Sequence, residues 1–194
     1  KRQIKPSALS PLSAYILGKI IHDIDFPAGV VNILSGPISE VATTLSKSKI
    51  PTVLTMIGST ATGQRVIADS VTSIKKLSME LGGNAPFIVF EDAAIDKALD
   101  LAIGIKFGNS GQICVAANRF FVHKSLYDLF LEKYVERAKS LKLGFGIEQK
   151  PDMGPMVTRN DRDRMFELIE DAVAKGGKVL IGGKIPNGKE TGNW

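Results

Sequence analysis

Cysteine is nearly absent from this chain. A single thiol, Cys114, occurs among 194 residues, which excludes an internal disulfide framework and fits a reducing compartment. Histidine is scarce as well. His22 and His123 lie in separate segments, and neither has a second ligand at metal spacing, so no metal site is expected. No apolar run approaches the roughly 20 residues that a membrane-spanning helix needs. No leader of charged, then apolar, then small residues opens the sequence either. A cytoplasmic protein without membrane contact is the expectation. The 25 Lys and Arg exceed the 20 Asp and Glu to give a net charge of +5, yet they are scattered, and Lys1-Arg2 and Lys75-Lys76 are the densest groups. Tracking a phosphate backbone takes many positive charges on one face with stacking rings between them. Nucleic acid is therefore not an expected partner.

What remains is ordinary globular composition, 44% hydrophobic and 23% charged, long enough to bury a core in one large or two smaller domains. Leu12, Ile16 and Ile20 recur every four positions and predict a helix over 11–21. The spacing of Ile38, Val41, Ala42 and Leu45 predicts a second, and a third runs from Gly63 through Val71. Further helices are predicted over 93–107, 125–140 and 158–175. In the first of these Asp92 is the expected cap, with Ile95, Leu99, Ala102 and Ile103 inward. The last is amphipathic, with Met165, Leu168, Ile169, Ala172 and Val173 inward and Gly176-Gly177 as its stop. Short apolar runs at 30–34, 52–57, 77–81, 86–90, 119–122 and 179–181 predict strands, and a Gly/Pro-rich connector fills 144–155. Strands alternating with helices imply parallel β-α-β units, an α/β fold. The expected boundary falls within 80–86 and divides residues 1–81 from a thiol-bearing unit, 82–194.

Two groups carry chemistry. Cys114 stands in Gly111-Gln112-Ile113-Cys114-Val115-Ala116-Ala117-Asn118-Arg119, and upstream a carboxylate stands in Glu80-Leu81-Gly82-Gly83-Asn84-Ala85-Pro86. A thiol that attacks a carbonyl and a carboxylate that activates water suffice to make and then hydrolyse a thioester. A lone cysteine is more often a small buried hydrophobe. Here, however, the approach through Gly108, Asn109, Ser110, Gly111 and Gln112 is small and polar, which a core cysteine does not require. Gly58-Ser59-Thr60-Ala61-Thr62-Gly63 sits where a strand hands over to a helix, so its amides are placed to face a phosphate. An NTPase phosphate loop needs Lys and then Ser or Thr after Gly63, where this chain has Gln64 and Arg65. A pyrophosphate cradle and an ordinary tight turn both remain open for this loop. Lys5-Pro6-Ser7 is by itself an exposed tail.

In their common order, Lys5-Pro6-Ser7, Phe26-Pro27-Ala28-Gly29, Gly58-Ser59, Glu80-Leu81-Gly82-Gly83, Gly111-Gln112-Ile113-Cys114 and Met153-Gly154-Pro155 resemble the aldehyde dehydrogenase superfamily. The phrases 80–90 and 114–119 are most similar to its succinate-semialdehyde dehydrogenase branch. The resemblance implies a Rossmann-like parallel half-sheet in 1–81, the later part of an NAD(P)-binding domain, and the first part of a catalytic domain in 82–194. It makes Cys114 the nucleophile and Glu80 the general base. By the same resemblance Lys5 would reach the adenosine ribose, Ser59 the pyrophosphate and Leu81 the nicotinamide, with Ser7, Ala8, Gly58 and Gly63 completing the expected cofactor-binding set. It further implies NADP or NAD as cofactor, a small aldehyde as substrate and a homo-oligomeric parent, a dimer or tetramer. Family members are longer, so an incomplete piece that needs partner segments is the alternative reading.

The departures from the pattern bear on specificity. Gly108 replaces an arginine that in this branch grips a substrate carboxylate, which opens a neutral hydroxyaldehyde such as lactaldehyde or glyceraldehyde. Met56-Ile57 replaces Phe-Thr, and Ala116 stands where some relatives carry a second cysteine. Ala8 replaces a glutamate that binds the ribose hydroxyls, which inclines the expectation toward NADP.

Overall fold

The six strands of the chain pair in parallel two by two, in sequence order. Such pairs need a crossover rather than a hairpin. The computed structural model describes all 194 residues and contains three such β-α-β units. β1 (Arg2–Ile4), α1 (Leu12–Asp23) and β2 (Val31–Ile33) form the first. α2 (Thr43–Lys47) follows, and β3 (Val53–Gly58), α3 (Thr60–Asp69) and β4 (Lys76–Leu81) form the second. β5 (Ala85–Val89), α4 (Ile95–Phe107) and β6 (Ala117–Val122) form the third, and α5 (Tyr127–Ser140), α6 (Gly146–Gln149) and α7 (Arg159–Ala174) complete the chain. The chain divides into two compact units, Lys1–Leu81 and Gly82–Trp194.

In Lys1–Leu81 the helices begin and end on local chemistry. Pro11 opens α1, where its fixed φ suits a helix start, and Asp25, at φ 51°, turns the chain out of it. The Ser59 hydroxyl caps α3 by accepting from the Thr62 N–H at 3.2 Å. The helix expected around Ile38 to Leu45 opens instead as a wide π turn, Ile38–Ala42, before α2. β1, whose three residues are too short to leave a periodic signal, escapes the sequence pattern.

Gly82–Trp194 is built around α4. Leu99 and Ala102 are sealed from solvent and pack with Val89 of β5 and Phe130 of α5. Around them Phe120, Phe130 and Tyr134 stand with ring centroids 5.4 to 6.3 Å apart. Lys133 and Arg137 of α5 pair with Asp96 of α4 at 3.1 and 2.9 Å. These exposed pairs contribute little beside the burial.

Three local expectations are corrected here. Asp92 does not cap α4, because the helix starts at Ile95 with Ala94 at the cap position and no side-chain bond there. Residues 179–181 form no strand, since an apolar run without a neighbouring strand has no ladder to join. The apolar stripe of α7 is not buried: Met165, Leu168 and Val173 are exposed. The caps of that helix are nonetheless as the sequence predicts. Thr158 Oγ1 accepts from the Asp161 N–H at 3.1 Å, and Gly176, at φ 93°, follows its end.

Candidate active site

Parallel pairing brings residues distant in sequence to one end of each strand pair, and in open α/β sheets ligands bind beyond the carboxyl ends. In the first unit β1 runs out into Lys5, Pro6, Ser7 and Ala8, while β2 runs out into Ser35, Gly36 and Pro37. With Tyr15 of α1, these residues line a cleft of about 300 Å³. Its polar groups are the Lys5 ammonium, which donates to the Pro6 carbonyl at 2.8 Å, and the hydroxyls of Ser7, Tyr15 and Ser35. The last two are hydrogen-bonded to each other. Gly36 lies at φ 155°, and a Cβ there would stand 2.7 Å from Val41 Cγ2, so the turn requires glycine. The sequence pattern assigns no role to Ser35-Gly36-Pro37 or to Tyr15. The signal for both was the parallel partner of β1, which was itself missed.

The same logic groups Gly58 and Ser59 with Glu80 and Leu81, because β3 and β4 pair in register with Ile57 opposite Glu80 and Gly58 opposite Leu81. The Glu80 side chain is exposed. Ser59 Oγ, besides its capping bond, is 2.9 Å from Thr62 Oγ1. Gly63 also has a packing part. It lies inside α3 with its N–H given to the Ser59 carbonyl at 2.9 Å, and a Cβ on it would come within 2.9 Å of Leu81 Cδ2. Its smallness admits the Leu81 side chain between helix and strand.

In the second unit Cys114 sits at the opposite kind of position, on a turn that precedes β6. The turn closes with the Ala116 N–H donating to the Ile113 carbonyl at 3.0 Å, and Ile113, Cys114 and Val115 are exposed. Gly83 passes close by: a Cβ there would lie 3.9 Å from the Cys114 carbonyl oxygen. Gly108 ends α4 at φ −53°, where any residue fits, and a Cβ on it would meet only Ile113 Cδ1 at 3.7 Å. Nothing in the packing therefore dictates glycine at 108. The approach to the thiol is anchored from behind. Ser110 Oγ donates to the Gly154 carbonyl at 2.7 Å, and Gln112 Oε1 accepts from the Val157 N–H at 3.0 Å. These bonds give a physical reason for Met153-Gly154-Pro155 to accompany the cysteine motif. At the two ends of the loop Lys106 Nζ donates to Asn118 Oδ1 at 2.9 Å, with burial pushing the lysine below its ordinary pKa.

No group of three or more His, Cys, Asp or Glu side chains is placed to hold a metal ion, and no helix is long and apolar enough to cross a membrane.

Comparison with known proteins adds an independent line. The model of the aldehyde dehydrogenase family matches residues 3–194. Glutarate-semialdehyde dehydrogenase of Pseudomonas putida is 43% identical over 185 residues, which cover 95% of this chain and 38% of that protein. The NADP(+) succinate-semialdehyde dehydrogenase GabD of Escherichia coli is 39% identical over 181 residues, covering 93% and 38% respectively. The crystal structure of PnpE from Pseudomonas sp. WBC-3 superposes with a TM-score of 0.92 at 39% identity, covering 98% of this chain and 39% of that one, and a crystal structure of PnpE in complex with nicotinamide adenine dinucleotide matches with the same values. Matched along nearly all its residues, and spanning about two fifths of the length of the curated relatives it matches, the chain belongs to the aldehyde dehydrogenase family.

Proposed function

We propose that this chain carries the nucleophile and general base of an NAD(P)-dependent dehydrogenase acting on a small aldehyde of the semialdehyde class. The observation that carries the reading is the one cysteine of this chain standing exposed on a turn, its flanks hydrogen-bonded and its tip open. Cys114, as the thiolate, attacks the aldehyde carbon to form a thiohemiacetal, and the oxygen takes up the charge. The C–H bond of the thiohemiacetal carbon then breaks and its oxygen re-forms the carbonyl of a Cys114 thioester, and the nicotinamide dinucleotide, when bound, would supply the acceptor for the departing hydride. Glu80 then takes a proton from water, and the resulting hydroxide attacks the thioester carbon. The C–S bond breaks, the thiolate returns and the carboxylic acid leaves.

The chemistry of the cleft at Lys5 supports dinucleotide binding. A cation and hydroxyls at the carboxyl ends of parallel strands match a ribose with its attached phosphate. Ala8 in that cleft presents no carboxylate against a 2′-phosphate, which favours NADP. The relatives named with NADP(+) agree with that direction.

The test is turnover by an intact enzyme containing this chain. Cys114→Ser is expected to abolish NAD(P)H formation, and wild-type turnover in that variant would refute the assignment. Gly108 favours a second reading of the substrate, a neutral hydroxyaldehyde, and a D-glyceraldehyde dehydrogenase (NADP(+)) of Picrophilus torridus is among the relatives at 39% identity. An aldehyde panel run with both cofactors decides between the two. Because position 108 tolerates a side chain, Gly108→Arg is expected to shift preference toward succinate semialdehyde by about tenfold, the scale of one charge-assisted bidentate contact. An unchanged panel would mean that the substrate acid is held elsewhere.

A further inference from the structure

Asn109, Ser110 and Gly111 stand one after another in the left-handed region, with φ of 49°, 58° and 74°. Glycine adopts this conformation freely, but serine and asparagine do not, and a run of three persists only where its surroundings hold it. The hold comes from side chains. Asn109 Nδ2 donates to the Gln112 carbonyl at 3.2 Å, and Gln112 Nε2 returns a bond to the Asn109 carbonyl at 3.0 Å. The other end of the Gln112 carboxamide accepts from the Val157 N–H at 3.0 Å. The Ser110 hydroxyl donates to the Gly154 carbonyl at 2.7 Å. That segment is itself braced, since the Met156 N–H donates to the Asn193 carbonyl at 2.9 Å and Asn193 Nδ2 donates to the Val157 carbonyl at 3.2 Å. Ser110 and Gln112 are half-buried, whereas the Ile113-Cys114-Val115 tip is exposed. The strained residues thus form the fixed base of the loop, and the sulfur rides on its free end.

We propose that Ser110 and Gln112 are positioning residues for the Cys114 thiol. By tying the left-handed turn to segment 154–157 they hold the loop in the conformation that presents the sulfur to the aldehyde. They act on the acylation step, not on aldehyde affinity. This rests on the reading of Cys114 as nucleophile.

Two substitutions at one position separate positioning from mere support. Ser110→Ala deletes the bond to Gly154 and keeps the unfavourable backbone. Ser110→Gly deletes the same bond but relieves the backbone, so it is the more stable of the two. Single-turnover acylation at saturating aldehyde and cofactor in the intact enzyme is expected to fall about tenfold or more in both, with KM within twofold of wild type. Thermal melting is expected to separate them. Gln112→Leu is expected to give the same split between kcat and KM. Acylation that follows stability instead, slow in Ser110→Ala and at the wild-type rate in Ser110→Gly, overturns the proposal. So do wild-type rates in all three variants. If Gln112→Leu fails to fold, the Ser110 pair still decides. Cys114→Ser in the same assay keeps the two readings apart. Its survival as an active enzyme strikes the nucleophile assignment, whereas an inactive Cys114→Ser beside fully active Ser110 and Gln112 variants strikes the positioning role alone.

Discussion

The two units of the chain are patterned alike and packed differently. In Gly82–Trp194 a cluster of Val89, Leu99, Ala102 and Phe130 is sealed at 5% exposure or less, with an aromatic group around it. In Lys1–Leu81 no large hydrophobic side chain reaches that burial, and the buried polar side chains are Ser46 and Ser70. The apolar stripe of α1 is as regular as that of α4, yet Leu12, Ile16 and Ile20 stay 71%, 61% and 51% exposed. Periodicity states which face an element turns inward and not how much cover that face receives. The units also differ in where the candidate site residues sit. The first presents Lys5, Ser7, Gly58, Ser59 and Glu80 at or just beyond carboxyl ends of parallel strands, while the second presents Cys114 ahead of β6.

The packing contrast breaks most directly at Leu99. Its side chain is 0% exposed, so Leu99→Ala removes the transfer free energy of the lost carbons and leaves a cavity, and a loss of about 3 kcal/mol is expected. The half-buried Leu54 of β3 offers the matching truncation in the first unit, with an expected loss of about 1 kcal/mol. Urea unfolding followed by amide exchange in each unit checks both values. Equal losses at the two sites would show that the first unit has a core as tight as the second.

A smaller effect sharpens the contrast at the close approach of α3 to β4 in the first unit. Gly63→Ala gains about 1 kcal/mol of helix propensity but forces Leu81 aside, since the new Cβ would lie 2.9 and 3.1 Å from its two methyl carbons. Overpacking of this kind costs about 1–3 kcal/mol, so a net loss of about 1 kcal/mol is expected, with shifted Leu81 methyl resonances. A neutral substitution with unmoved Leu81 signals would mean that helix and strand separate freely there.

The same contrast explains how far the sequence could be read. The alternation of strands and helices was legible, and so were Leu99 and Ala102 as the inward face of α4, because packing there agrees with the local period. Residues 179–181 misled because an apolar run does not reveal whether a partner strand exists, and α7 misled because its stripe was regular but uncovered. Among the candidate site residues, Cys114 stood out by residue type and surroundings. The packing of Gly63 against Leu81 did not, because close packing and phosphate binding ask for glycine at the same spacing and only the structure shows the Leu81 contact. The cleft residues Tyr15 and Ser35 were invisible, since they meet Lys5 only through a three-residue strand pair, β1 with β2. Gln112 was legible as part of a motif, but its bond to Val157 spans 45 residues and belongs to tertiary structure alone.

An effect of the same small size is the most selective for the packed unit. Burial pushes the Tyr134 hydroxyl from its ordinary 10.0 up to about 12, within the aromatic group it shares with Phe107, Phe120 and Phe130. The folded state thus holds this proton more tightly than the unfolded chain does. Between pH 10 and 12 the unfolded state releases it first, so the contribution is whole below pH 10 and is lost as pH rises toward 12. Each pKa unit corresponds to about 1.4 kcal/mol, and because the ring is only partly buried the discounted loss is about 1 kcal/mol. Tyr134→Phe removes the ionisable group and keeps the ring, so its stability curve should diverge from wild type only above pH 10, with the mutant gaining relative stability there. Parallel curves through pH 11 would mean that water reaches the hydroxyl in the folded state, and that the aromatic group is more open on that side than its close ring contacts imply.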